Sequence, residues 1–414
     1  MLYDCARRKN QEQEMENAPI PFIKSVYIKN YKSIGHCALE LEPFTVLVGR
    51  NGAGKSNFLD ALRFISDSLD TSLDHAIKWR GGIDLVRRRS TGHPRNFSIG
   101  IFVHITKEKF AKYSFEVGAK SGGAFVVKKE RLEILRPNFD LTDLYQVESG
   151  QVTKMSLSEY PEAQADRLYL VAASGLREFR EVYDALRSVG FYNLNPQAML
   201  ELQSPDAGNI LMRDGSNIAS VVGRLQQDNP EAVARIGQYL GKITPGVEGL
   251  ERVSLGPRET IQFRQKVVGA EHPWRFYAAN MSDGTLRATG VLVAVSQLVG
   301  HASAVRLVGI EEPETALHPA AANALVDAIR EANATTQVIV TSHSPDILDV
   351  AGLDPKALVL AVSRENETRL GRPDGATLEA IRTHLYSAGD LHRMDQLILD
   401  EKSVEMQNQL SLFE

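Results

Sequence analysis

Phe44-Thr45-Val46-Leu47-Val48-Gly49-Arg50-Asn51-Gly52-Ala53-Gly54-Lys55-Ser56 is the stretch whose reading decides the fold. Phe44–Val48 is a short apolar run between Pro43 and Gly49, the pattern of a buried strand. Beyond the glycines, Asn57 to Leu69 carries Phe58, Leu59, Leu62, Ile65 and Leu69 at helical spacing. Between strand and helix, Gly49 and Gly54 enclose four residues and precede Lys55 and Ser56, matching G-x-x-x-x-G-K-[ST] in the setting that motif needs. Glycine lets the loop curl so that successive backbone N–H groups point inward at phosphate oxygens. The helix beginning at Lys55 adds the positive end of its dipole. Lys55 would reach the β- and γ-phosphates, and the Ser56 hydroxyl would ligate Mg²⁺. The sequence thus predicts an ATP site of Gly49, Arg50, Asn51, Gly52, Ala53, Gly54, Lys55, Ser56 and Asn57, with Mg²⁺ as cofactor.

Further along, the apolar strand Leu307-Val308-Gly309-Ile310 ends in Glu311-Glu312-Pro313-Glu314. Carboxylates at a strand's C-terminal end lie where open α/β sheets place their ligands. Two adjacent acids can divide the work, one holding Mg²⁺ and the next polarising the attacking water. Side chains of neighbouring strand residues point to opposite faces, so the chain must bend there, and Pro313 favours a bend. A second apolar strand, Val338-Ile339-Val340-Thr341, ends in Ser342-His343-Ser344-Pro345, where His343 can hydrogen-bond a γ-phosphate. Upstream, Asn280-Met281-Ser282-Asp283-Gly284-Thr285-Leu286-Arg287 precedes an apolar helix, a second anion-binding terminus. Alone, that last motif is a common turn.

The set and its order resemble ABC-type ATPase heads: a P-loop, a Ser-x-Gly signature before a helix, an acid pair with Pro-Glu, then Thr-Ser-His-Ser-Pro. They are most similar to the RecF/SMC-like predicted ATPases of the AAA-type group and to the ATPase portion of OLD-family nucleases. Phe22–Val26 with Asn30-Tyr31-Lys32-Ser33-Ile34 looks like the family's opening strand, and Leu391-His392-Arg393-Met394-Asp395 like the end of its standalone members. The resemblance implies an α/β P-loop NTPase: an ABC-ATPase-like head with an antiparallel β subdomain and a helical insertion. It implies ATP-dependent pairing into a homodimer or higher even oligomer, with Ser282 and Gly284 of one subunit meeting the γ-phosphate held by the other. Glu312 would be the catalytic base, His343 the switch histidine, and Glu311 a metal ligand with Ser56. Glu311 stands where the family has Asp. Asp283 stands where transporters favour Gly. No glutamine occurs between Gln13 and Gln146, so the stand-in for a Q-loop glutamine is sought within Arg80–Arg89.

No heptads fill the interval from Ser56 to Ser282, so the long arms of SMC proteins are not expected there. No Asp-x-Asp pair follows His343, so the Toprim nuclease of OLD proteins is expected on another chain. The favoured reading is an ATPase that regulates a separately encoded effector, such as a nuclease, in anti-phage defence or DNA maintenance. Three rivals stay open: a RecF-like repair ATPase binding DNA through Arg87, Arg88 and Arg89, a nucleotide-binding scaffold with little turnover, and a transporter subunit, against which Asp283 counts.

Composition sets the frame. The chain has 414 residues, 43% hydrophobic and 24% charged, with a net charge of -5, so any DNA contact must be a local patch. Two cysteines, Cys5 and Cys37, make neither a disulfide framework nor a metal site, which suits the cytoplasm. No apolar run approaches the roughly 20 residues that span a bilayer, so no membrane contact is expected. The pattern divides into a flexible extension (1–21), an N-terminal ATPase lobe with the P-loop and β subdomain (22–174), a helical insertion (175–250), a C-terminal lobe with signature, acid pair and His343 (251–395), and a tail (396–414).

Overall fold

The computed structural model describes residues 20–90, 92, 94–297, 305–333, 336–349 and 353–407. The 1–21 extension, Cys5 and the tail's Leu410, Leu412 and Phe413 therefore lie wholly or almost wholly outside the described residues.

Among the described residues, sixteen strands form two sheets. They are β1 (Ile23–Tyr31), β2 (Ile34–Glu40), β3 (Phe44–Val48), β4 (Asn96–Thr106), β5 (Lys109–Ala119), β6 (Phe125–Leu135), β7 (Leu141–Glu148), β8 (Gln151–Met155), β9 (Val189–Tyr192), β10 (Val247–Leu255), β11 (Arg258–Gln265), β12 (Trp274–Tyr277), β13 (Leu307–Glu311), β14 (Gln337–Ser342), β15 (Leu358–Arg364) and β16 (Glu367–Gly371). The main sheet runs β8-β7-β6-β5-β4-β1-β2-β16-β15-β3-β14-β13-β9, and β10-β11-β12 form the second.

Within the main sheet, β15, β3, β14, β13 and β9 are mutually parallel. Their residues alternate between two cores. Leu47, Leu307, Ile339 and Val359 pack with Phe58, Leu59 and Leu62 of the helix Lys55–Asp70. Val46, Val48, Val308, Ile310, Val338 and Val340 pack under the helices Ile218–Asp228, Pro230–Ile243, Asp283–Ser296 and Pro319–Ala332. Burial on both faces is why these strands read as continuous apolar runs.

From β2 outward the sheet is antiparallel through β1, β4, β5, β6, β7 and β8. This is the expected β subdomain, joined to the parallel half where Thr368 of β16 meets Ile34 of β2. Its core is aromatic: Tyr31, Phe64 and Phe97 meet edge to face. Gly122 and Gly123, both at positive φ, make the turn between β5 and β6. The β7–β8 hairpin turns at Ser149 and Gly150, with φ 49° and 85°. Fully buried Glu130 ties β6 to the short helix Tyr169–Ala173, accepting from Tyr113 Oη (3.1 Å), Tyr145 Oη (2.7 Å), Tyr169 N and Leu170 N (2.9 Å).

Three elements fall within or across the expected divisions. Residues 175–250 are not helical throughout, because β9 lies among them and forms the edge of the ATPase sheet beside β13. Strand β10 runs across the 250/251 division and pairs with β11. The tail beginning at 396 contains the helix Glu401–Gln407, whose Val404 is buried and whose Gln407 side chain accepts from Ala38 N of β2 at 3.1 Å.

Candidate functional site

The loop 49–54 leaves the end of β3 and enters the helix Lys55–Asp70, so its backbone is fixed at both ends. Two of its glycines are there because nothing larger fits. A Cβ on Gly49 would stand 2.2 Å from the Ala361 carbonyl oxygen. One on Gly54 would stand 2.0 Å from Thr368 Oγ1, and Gly54 also has φ +96°. Gly52 has φ +77° with open space beside it, which suits backbone laid against a ligand. Lys55 is buried, with its amine donating to the carbonyls of Gly49 (2.6 Å) and Arg50 (3.2 Å). Burial lowers its pKa, while Glu312 and Glu314 oppose that shift. Asn57, from the first turn, donates to Ser33 Oγ at 2.6 Å, and Ser33 Oγ lies 2.7 Å from Thr368 Oγ1. Asn57 therefore braces the loop from behind. Ser56 is exposed.

The acid pair arrives from β13, two strands from β3. Val48 is level with Ser342, and Thr341 with Glu311, so the three strand ends line one edge. The required bend lies at Glu312 itself, whose φ is +46°, with Pro313 following. Such a conformation in a non-glycine residue costs roughly 1–3 kcal/mol and is characteristic of functional sites. It is held by Glu312 N–H donating to the Thr341 carbonyl at 3.0 Å. His343 Nδ1 is then 3.4 Å from Glu312 Oε1, so the expected base and switch histidine are brought together. Glu311 points elsewhere and is paired with Arg213 at 2.9 Å.

Ser282 caps the helix Asp283–Ser296, accepting from Thr285 N at 3.2 Å, so this helix starts at the signature. Gly284 is forced by packing: a Cβ there would stand 2.4 Å from the Ala316 carbonyl oxygen, in the turn after the acids. Arg287, one turn on, reaches the Glu312 carbonyl at 3.4 Å. Among the described residues no hydrogen bond or ion pair joins Ser282 or Gly284 to the loop 49–56.

Other expected residues are engaged within the fold. Arg80 is consumed by Asp60 and Asp67, and residues 86–88 lie along the β1–β2 turn, where Lys32 N bonds the Val86 carbonyl. The strand end beside Glu311 is that of β9, which continues into Asn193 and Asn195. The triple arginine is not a free patch either. Arg87 binds Asp84 and the Pro94 carbonyl, Arg88 binds Glu367, and Arg89 binds the Asp84 carbonyl.

Several site residues had no role in the sequence reading. Glu314, 7% exposed, accepts a hydrogen bond from Ser342 Oγ. Arg50 of the loop pairs with Asp395 at 3.0 Å, and His392 Nε2 is 3.1 Å from the His343 carbonyl. Only Leu391–Asp395, picked out by resemblance, hinted at that link.

A preformed phosphate loop, a strand-end acid at positive φ and a histidine within reach define a P-loop ATPase. The comparisons make the class particular: residues 44–349 match the family described as "AAA domain, putative AbiEii toxin, Type IV TA system", and the chain belongs to it. It is similar to the chromosome partition protein Smc of Gloeobacter violaceus, 26% identical over 230 residues, which is 51% of this chain and 18% of that protein. It is also similar to structural maintenance of chromosomes protein 3 of Dictyostelium discoideum, 47% identical over 53 residues, 12% of this chain and 4% of that one. The chain thus spans less than a fifth of the curated relatives it matches. Among solved structures, an SmcHead bound to the C-winged helix domain of ScpA superposes with a TM-score of 0.51 at 16% identity, covering 84% of this chain and 97% of that one. The Smc head derived from Pyrococcus furiosus, bound to the C-terminal domain of ScpA, gives 0.51 at 13% identity over 88% and 100%. These likenesses establish the SMC-head fold.

Proposed function

We propose that this chain binds and hydrolyses ATP between two copies of itself, and that the ATP-closed dimer controls a separately encoded effector. The observation that carries the reading is the pairing of Glu312 with His343 at 3.4 Å, on the strand edge shared with the P-loop. Backbone N–H groups of 49–54 and the Lys55 amine hold the triphosphate. Glu312 takes a proton from water as the water oxygen attacks the γ-phosphorus, and the bond to the ADP oxygen breaks. His343 donates to the γ-phosphate.

The exposed Ser56 hydroxyl fits a Mg²⁺ ligand, and Mg²⁺ there would neutralise phosphate charge. Glu311, paired with Arg213, joins it only by exchanging that partner. Ser282 and Gly284, unattached to their own P-loop, would complete the site on the second copy. A separate protein seated on a head of this fold has a precedent in the structures bound to ScpA domains, and the family's description supports a defence setting. A buried free Cys37 is consistent with the cytoplasm, and no described helix is long and apolar enough to cross a membrane.

The test is Glu312→Gln, followed by phosphate release and light scattering. Turnover should fall by about 10²-fold or more, as expected on losing a general base, while ATP now holds a stable dimer. Wild-type protein without turnover, or a variant that stays monomeric with ATP, refutes the reading.

A further inference from the structure

Glu314 is the acid of Glu311-Glu312-Pro313-Glu314 that the hydrolytic scheme leaves unused. Its side chain is buried at 7% exposure, in a site already crowded with charge. It interacts electrostatically with Lys55, Glu312 and His343. One oxygen, Oε1, accepts from Ser342 Oγ, and the other, Oε2, is buried with no hydrogen-bond partner. A carboxyl placed there for packing alone would be a poor choice, since an orphaned buried oxygen destabilises the fold.

The hydrogen bonds around Ser342 show what the carboxyl does. Ser342 is fully buried and its hydroxyl has one proton to give. Ser344 N–H donates to Ser342 Oγ at 3.0 Å, which occupies the hydroxyl as acceptor. The proton has two acceptors within reach, the Ser344 carbonyl at 3.4 Å and the nearer Glu314 Oε1, and the shorter bond to Glu314 draws it out of the turn and ties Ser342-His343-Ser344 to the acid segment. His343 is the middle residue of that turn, and its ring meets Glu312. The other end of Glu312 is fixed by the same strand, through Thr341.

We propose that Glu314 is a positioning residue, acting through Ser342 to fix the turn that presents His343 to Glu312. It touches neither water nor phosphate. Burial raises its pKa, with the Ser342 hydrogen bond opposing. The inference rests on the reading of Glu312 and His343 as the hydrolytic pair.

The experiment compares Glu314→Ala, Ser342→Ala, the double variant and Glu314→Gln. Turnover is followed against ATP concentration, and the His343 ring resonances are recorded in nucleotide-free protein. Each alanine variant should lower kcat roughly 10-fold with KM within about two-fold, the size usual for losing a residue that orients a working group. The double variant should be no worse than the worse single one, because both remove the same hydrogen bond. Glu314→Gln keeps an oxygen that accepts from Ser342, so it should retain turnover and leave the His343 resonances in place, whereas both alanine variants shift them. Unmoved kcat and resonances in the alanine variants overturn the proposal. So do additive losses, a glutamine variant as damaged as alanine, or KM and thermal stability failing together. If the wild type does not turn over, the hydrolytic reading falls, and the resonances still decide whether Glu314 positions His343.

Discussion

Gly54 and Gly52 separate two demands on the same loop. At Gly54 both the positive φ and the contact with Thr368 exclude a side chain; at Gly52 only the φ does. Gly54→Ala should abolish binding of a fluorescent ATP analogue while circular dichroism stays native. Gly52→Ala should weaken binding by about ten-fold or less, since a left-handed alanine costs about 1–2 kcal/mol. Equal losses in the two variants would show that the Thr368 contact is unimportant. Lys55, already seated on the Gly49 and Arg50 carbonyls, needs little rearrangement to meet phosphate, and its replacement by Ala should remove binding altogether. These residues were legible in the sequence because glycine, lysine and serine at fixed spacing have few other uses. Glu314 and Arg213 were not, since their roles arise from which side chains the fold brings beside them. The bend at Glu312 was half legible: Pro313 signalled it, yet the left-handed residue is the glutamate before it.

At the scale of elements, the strands of the parallel half were readable as apolar runs, and β9 was not. Four residues following an amphipathic helix carry too little pattern, and only pairing with β13 makes Val189–Tyr192 a strand. The same holds for β7, where only Tyr145 and Val147 are buried, and for β8, which is largely exposed. Two carboxyls, Glu130 and Asp60, lock elements together. Glu130 receives four donors, so Glu130→Gln sets an amide N–H against the Tyr169 N–H and should cost about 1–3 kcal/mol in urea unfolding. An unchanged midpoint would mean the carboxyl is dispensable. Asp60, on the P-loop helix, joins Lys32 of the β1–β2 turn to Arg80. Burial pushes its carboxyl up, but Arg80 and Lys32 outweigh that and hold it down at about 2. A depressed folded pKa means its contribution is complete above the unfolded value, near pH 4, and is lost as pH falls toward 2. Asp60→Asn should flatten the stability–pH curve in that acid window.

For the whole molecule, the proposed dimer puts the P-loop and the signature of one chain in two different sites. Two defective variants should therefore repair each other. Lys55→Ala keeps a good signature and Ser282→Arg keeps a good P-loop. A mixed dimer of the two carries one site built from both intact halves. Mixing should restore phosphate release that neither variant shows alone, read against total protein. No recovery on mixing would place both motifs in one subunit's site. The alternative in which Arg87, Arg88 and Arg89 grip DNA predicts duplex binding that weakens steeply with salt. Their engagement with Asp84, Pro94 and Glu367 instead leads us to expect little binding, measurable by fluorescence anisotropy.

Strand β3, from which the loop springs, lies between β14 and β15: Leu47 faces Thr341 on one side and Val359 on the other. On the ribosome its partners emerge roughly 300 residues later, about 15–60 s at ordinary bacterial rates of synthesis. Throughout that time the growing polypeptide carries the phosphate-binding motif with no sheet to support it, and an apolar strand with nothing to cover it. Nascent chains stalled before residue 337 should fail to bind immobilised ATP, while chains extended past 371 should bind. Nucleotide binding should therefore wait for strands that the ribosome makes roughly 300 residues after the loop itself.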